Sequence, residues 1–181
     1  VIDLWDGDEL AHWRRLRKSY RSLIHRAEYE FDFFVASGPT DPISLLLDEA
    51  RDVHVVAAGR QTRSVETWRL MTDWAHERFG VIATARAKST GLVMGFAYAI
   101  RWKDWAYWMS GATLAKDLQH ALQWHLIRAL MCDGETRYYE IGHAARFDDE
   151  DQKSKSIAWF KSGFGGSTWA VPVVEGQPCA S

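Results

Sequence analysis

"VIATARAKSTGLVMGFAYAIRWKDWAYWMSGA", from Val81 to Ala112, contains three runs built for extended chain: "VIATARA" (81–87), "GLVMGFAYAI" (91–100) and "DWAYWMSGA" (104–112). β-Branched or aromatic side chains recur in each, as a pleated, half-buried surface favours. Ser89, Thr90 and Gly91 separate the first pair, and Trp102, Lys103 and Asp104 the second. Connections this short join antiparallel neighbours, because a parallel pair needs a crossover of a dozen or more residues. The stretch predicts an antiparallel meander of three strands.

Working outward, the spacing downstream predicts a helix over 117–132 that ends near Gly134, then a strand in "RYYEIG" (137–142). A helix between two strands implies a right-handed crossover that makes them parallel. The polar loop "HAARFDDEDQ" (143–152) leads to a last helix over 153–160. Upstream, "FDFFVAS" (31–37) reads as a strand, "SGPTDP" (37–42) breaks it, and a helix from Ile43 leads into "HVVAAGRQTRS" (54–64). Ser64 is placed as the N-cap of a helix "SVETWRLMTDWAHERFG" that Gly80 closes. At the start, "VIDLW" is a short strand and Asp8 caps one helix whose apolar stripe is Trp13, Leu16, Tyr20, Leu23, Ile24 and Ala27. The order gives a mixed α/β fold, a largely antiparallel central sheet flanked by helices.

The bulk figures narrow the class. The 181 residues suit one domain, 1–181, with a sizeable core. Without an initiator Met, that domain is read as one that can belong to a longer protein. A net charge of −2 does not announce a nucleic-acid binder, so only a local basic patch can support that role. The cysteines, Cys132 and Cys179, make neither a disulfide framework nor a zinc site, and no metal-ligand spacing occurs elsewhere. No apolar run approaches the roughly 18 residues that span a bilayer. "VIDLWDGDEL" has no signal-peptide flank. The default reading is cytoplasmic, with no membrane insertion and no permanently bound cofactor. Trp is abundant at 10 residues; a Trp-rich core is the plain explanation, and exposed rings in a binding groove the other.

Two clusters carry charge in a pattern. From Ala11 to Arg26 there are six cations, Arg14, Arg15, Arg17, Lys18, Arg21 and Arg26, and no acid. At about 100° per residue, Arg14, Arg17, Lys18 and Arg21 fall opposite the apolar stripe. That face is either solvated or tracks the phosphates of a donor such as tRNA or a nucleotide-sugar. His54, Arg60, Arg63 and Trp68 are read onto a loop and a helix start, where guanidinium forks can clamp a phosphate or carboxylate of an acceptor. Surface arginines on a well-capped loop are the alternative there. His120 and His125 are read as packing or surface residues.

The element order, together with "VIDL…LRKSYRSLI", "GFAYAI…WAYWMSGAT", "HALQWHLIRALMCDGETRYYEIG" and above all "DQKSKSIAWFKSGFGG", resembles the acyltransferase fold of the GNAT superfamily. It is most similar to the FemABX-like aminoacyl-tRNA-dependent branch. Cell-wall enzymes of that type usually have two such domains and often a coiled-coil arm; here there is one domain and no arm. Acetyl-CoA-dependent members carry a Q/R-x-x-G-x-G/A loop whose backbone cradles the pyrophosphate. In its place stands "SGATLAKDLQHAL", with no glycine between Gly111 and Gly134.

The resemblance implies transfer of an acyl or aminoacyl group from acyl-CoA or aminoacyl-tRNA to an amine on a sugar-nucleotide or cell-envelope precursor, as in surface-polysaccharide synthesis. A plain acetyl-CoA N-acetyltransferase and a non-catalytic binding module are the alternatives; the oligomeric state stays open. It implies that Met109, Ser110 and Gly111 lie near a bulge whose backbone N–H supports an oxyanion. It also puts Lys161 at the reaction centre, beside glycines 163, 165 and 166, which are expected to leave room for a ligand. A helix-end charge is the plain reading of Lys161. An attacking amine needs a proton acceptor, which Glu140 or His143 can supply. Tyr138 and Tyr139 flank that position, and alternation sets Tyr139 on the opposite face from Glu140.

Overall fold

The computed structural model describes residues 1–4, 7–142 and 152–169. At its centre is the expected meander: β3 (Gly80–Ala87), β4 (Val93–Trp102) and β5 (Trp105–Thr113), each antiparallel to the next. Lys103 takes φ 56° in the two-residue loop between β4 and β5, the positive φ such hairpins demand. The strand β2 (Phe31–Ala36) adds antiparallel to β3 at one edge. Helix α5 (Leu118–Cys132) carries the chain across to β6 (Tyr138–Glu140), which lies parallel to β5 as the crossover argument requires. The two residues of β1 (Ile2–Asp3) pair antiparallel with β6, giving the order β1-β6-β5-β4-β3-β2.

The two faces of the sheet are built differently. Under α5 the strands present small side chains, Ala83, Ala85, Ala97 and Ala99, all fully buried. A Cβ built on Gly95 would stand 2.9 Å from Leu122 Cδ1, so the missing side chain lets α5 approach. On the other face lie α3 (Ile43–Ala58) and α4 (Val65–His76), over the larger Ile82, Phe96 and Tyr98. The Tyr98 hydroxyl donates to Met71 O at 2.8 Å, which satisfies a phenol that is otherwise buried in apolar surroundings.

Four element boundaries differ from the sequence reading. The first helix is two, α1 (Glu9–Arg15) and α2 (Lys18–Glu30). Asp8 caps α1 as expected, accepting from Ala11 N–H at 2.9 Å. Leu16 then leaves helical geometry with ψ 142°, and Arg17 N–H donates to Gly163 O at 2.9 Å, a partner far away in sequence. Next, α3 runs on through His54 to Ala58, so His54 lies in a helix. Ser64 caps α4 as read, accepting from Thr67 N–H at 3.1 Å. That helix stops at His76, however, and Arg78, not Gly80, takes the left-handed turn at φ 66°. Gly80 instead opens β3, where a Cβ would strike the Tyr98 hydroxyl. Finally, α6 spans Gln152–Ser162, a little longer at both ends than the predicted 153–160.

Candidate active site

The strands β5 and β6 pair only where Trp105–Tyr107 face Tyr138–Glu140. Past that point β6 has ended and β5 continues to Thr113 against β4 alone. Among the described residues, the second half of β5 thus has one edge without a strand. The register along it shifts between Tyr98↔Ser110 and Ala99↔Trp108, which leaves Met109 as the extra residue of a bulge. Leu114 N–H donates to Met94 O at 2.8 Å. The alternation of an antiparallel ladder then turns the N–H groups of Gly111 and Thr113 away from β4, toward the open edge. Ser110 is buried, and its Oγ has no hydrogen-bond partner among the described residues.

Lys161 is half-buried in the last turn of α6. A Cβ placed on Gly142 would stand 2.7 Å from its Nζ, so the ammonium lies against the chain just beyond β6. Burial holds the Lys161 amine below its ordinary range, and the negative charge of Glu140 opposes that effect. Glu140 faces Tyr107 across the parallel pair. Burial first, then the charges of Glu140 and Asp104, push the Tyr107 phenol up. Lys161 and Glu140 line one cavity of about 380 Å³ with Gly142, Trp105, Ser167 and Trp169. His143 lies outside the described residues.

The space beside the glycines after Lys161 is taken by neighbouring residues, although Gly166 also lines that cavity. A Cβ on Gly163 would enter the ring of Tyr20; one on Gly165 would stand 2.8 Å from Arg15 Cβ; one on Gly166 would stand 2.5 Å from Val1 O. Each lets the chain press against the break between α1 and α2 or against β1, and Phe164 between them is fully buried. Arg17 completes the clamp. Its guanidinium donates to Tyr20 Oη at 3.1 Å, Trp159 O at 3.1 Å and Ser162 Oγ at 3.0 Å, and stacks 3.6 Å from the Trp159 ring centroid. The basic face is therefore divided: Arg14 and Lys18 are exposed and Arg21 is half-exposed, but Arg17 is turned onto α6.

His54 and Arg63 do converge on the bulge. Arg63 donates to Met109 O at 3.2 Å, and the charge of Arg63, after burial, helps hold the His54 imidazole low. Trp68 packs at 5.6 Å from His54 but is only 4% exposed, so it supports that ring from the core. Arg60 is exposed at the end of α3. Tyr139 is fully buried on the face opposite Glu140 and donates to Gln123 Oε1 at 2.7 Å. His120 packs against Tyr20 and Phe160, and His125 stacks on Phe33, as packing residues do. The sequence reading does not single out the rings of Trp105, Tyr107 and Trp169; for the first two the available signal is their alternate placement in "WAYW", and Trp169 carries none. Among the described residues no group of three or more His, Cys, Asp or Glu is placed to hold a metal, and no helix is long and apolar enough to cross a membrane.

No protein-family model and no curated protein sequence matches the chain. Solved structures do. FemX matches 90% of this chain with a TM-score of 0.69 at 11% identity, over 57% of its own length. The C-terminal domain of a putative lysylphosphatidylglycerol synthetase from Agrobacterium fabrum matches 92% of the chain with a TM-score of 0.59 at 15% identity, over 55% of its length. An aminoglycoside acetyltransferase from an uncultured soil metagenomic sample, solved with sisomicin, matches 85% with a TM-score of 0.55 at 10% identity, over 99% of its length. The chain thus spans little more than half of the first two. The divergence of β5 from β6, the bulge at Met109 and these likenesses lead to one conclusion: the chain has a GNAT-like fold, an architecture that FemX shares.

Proposed function

We propose that this protein transfers an acyl or aminoacyl group from an activated donor to an amine on a sugar-nucleotide or cell-envelope precursor. One observation carries the reading: beside the β5 bulge a strand edge that no described residue pairs offers Gly111 N–H, while the next strand ends on a carboxylate next to a half-buried lysine. A donor carbonyl lying along that edge would meet a fixed N–H dipole. The acceptor amine attacks the carbonyl carbon, the carbonyl oxygen becomes an oxyanion, and the ester or thioester bond to the donor then breaks as the oxyanion collapses. Gly111 N–H and the Lys161 ammonium stabilise that negative charge, an effect worth about 3 kcal/mol per donor elsewhere. Glu140 accepts the proton that the amine must lose. Ser110 shapes the bulge that aims Gly111.

Arg63, with His54 beside it and Arg60 beyond, would take an anionic part of the acceptor. Trp68 holds His54 in place. Arg14, Lys18 and Arg21 would attract a polyanionic donor. At the entry to α5, Asp117 takes φ 63° and its carboxylate pairs with Arg26 at 3.3 Å. A carboxylate at that helix N-terminus opposes a pyrophosphate, which supports aminoacyl-tRNA over CoA as donor.

The test is to incubate the purified protein with either labelled aminoacyl-tRNA or acetyl-CoA, and with amino-sugar nucleotides as acceptors. Mass spectrometry should show an acylated acceptor and consumption of one donor. If neither donor is consumed while glycan or nucleic acid still binds, the domain is a binding module.

A further inference from the structure

An aromatic corner walls the same cavity as Glu140 and Lys161, and its rings themselves have no part in this chemistry. Trp105 and Tyr107 alternate onto the sheet face that α3 and α4 cover farther along, and Tyr138 and Glu140 share that face on β6. The rings of Trp105 and Tyr107 lie side by side, their planes 17° apart and their centroids 5.9 Å apart. Trp169 stands nearly at right angles to Trp105, at 82° and 5.6 Å. Tyr138 braces both tryptophans, at 4.8 Å and 5.2 Å. Core packing would bury such rings, yet Trp169 is 46% exposed and the other three are half-buried. Trp105 and Trp169 are two walls of the cavity of about 380 Å³, and its polar side chains are Glu140, Lys161, Ser162, Ser167 and Thr168, with the Val1 backbone beside them. That volume falls in the range of small-molecule sites.

We propose that this corner binds a neutral pyranose ring of a glycan or sugar conjugate. The ring's C–H face lies on Trp105 and its edge meets Trp169. Glu140 accepts from its hydroxyls and Lys161 donates to them. The chemistry of the walls selects this class. A purely apolar ligand would strip water from a carboxylate and an ammonium without replacing their hydrogen bonds. A nucleobase prefers to stack between aromatic faces and a positive groove for its phosphates, whereas these tryptophans are perpendicular and the charge of Lys161 is offset by Glu140. A sugar matches both features, an apolar face and a rim of donors and acceptors. The corner shares its sheet face with Met109 and Arg63, so an anionic substituent on the sugar can run along that face toward the guanidinium. The inference rests on the transferase reading only in making this ring part of the acceptor.

The experiment is saturation-transfer NMR on the whole protein with no donor present, using N-acetylglucosamine and, separately, adenosine monophosphate. Saturation should pass to the ring protons of the sugar and not to adenine. Trp169→Ala should weaken the titrated sugar affinity at least about tenfold while the melting temperature stays near the parent's. Trp105→Phe, which keeps a ring on the strand, should weaken it less. No transfer to the sugar, unchanged affinity in Trp169→Ala, or transfer to adenine alone would overturn the assignment. Because binding is read without turnover, sugar binding with no transferase activity would leave the corner standing and remove the acyl-transfer reading, and the converse result would do the reverse.

Discussion

Lys161 concentrates the argument at the scale of one residue. As a simple helix-end charge it would sit in water. Instead it is half-buried against Gly142, near Glu140, and burial lowers its pKa. A lysine with a depressed folded-state pKa binds its proton less readily than the unfolded chain does. Its charge therefore costs stability at neutral pH, and that cost is relieved as pH rises toward the ordinary lysine value. Lys161→Met keeps the length of the side chain and removes the charge. Turnover should fall at least about 100-fold, while the melting temperature stays within a few degrees of the parent. Unchanged turnover would return Lys161 to the role of a helix-end cation.

The same accounting at the scale of elements turns on how α6 is held. Its anchors are Arg17 from the break between α1 and α2, the Tyr20 hydroxyl on Phe160 O at 3.0 Å, and the glycines that let the chain pass. Gly163→Ala puts a methyl group into the ring of Tyr20, and overpacking of this kind costs about 1–3 kcal/mol. Thermal unfolding should show a clear drop, and hydrogen exchange along α6 should quicken. A parental melting temperature would mean that the Tyr20 ring moves aside freely. The exposed face of the first two helices should respond differently. Arg14→Glu with Arg21→Glu removes cations that have no hydrogen bond or ion pair among the described residues. Donor affinity should fall and its salt dependence flatten, with folding untouched. If both affinity and salt slope keep their starting values, that face is only solvated. Arg17 does not belong in that comparison, since its loss frees α6.

At the scale of the whole molecule, three imidazoles on two helices, His54 on α3 and His120 and His125 on α5, share one direction of shift. Burial comes first among the causes for His54, His120 and His125, and it holds each below the ordinary value of 6.5. As pH falls through 6.5 the unfolded chain takes up protons before the folded chain does. Stability is therefore highest near neutrality and declines below that value until the buried imidazoles themselves protonate. Urea midpoints measured from about pH 7.5 down to about pH 5, above most carboxylate titration, should fall steadily. A flat profile would mean that Glu28 beside His125 and the Asp117 carbonyl beside His120 keep those rings charged in the folded state.

What the sequence determined by itself was what repeats along one element. Alternation and short turns specified β3, β4 and β5. Helical spacing specified α5 and the sequence placed the starts of α3 and α4 but not their ends, Asp8 and Ser64 declared two helix starts, and a helix between "WMSGA" and "YYEIG" implied the parallel pair. These signals are legible because each reports the burial of side chains within a few residues of one another. Other features required the tertiary structure. No local signal separates α1 from α2; the break exists because Arg17 bonds to Gly163 and to α6. The glycines of "KSGFGG" look like an opening for a ligand until Tyr20, Arg15 and Val1 are seen to fill the space beside them. The same holds for the approach of Arg63 to Met109 and of Lys161 to Glu140. Each joins segments remote in the chain, and the free energy that selects them comes from close packing and desolvation in three dimensions, which no one-dimensional period records.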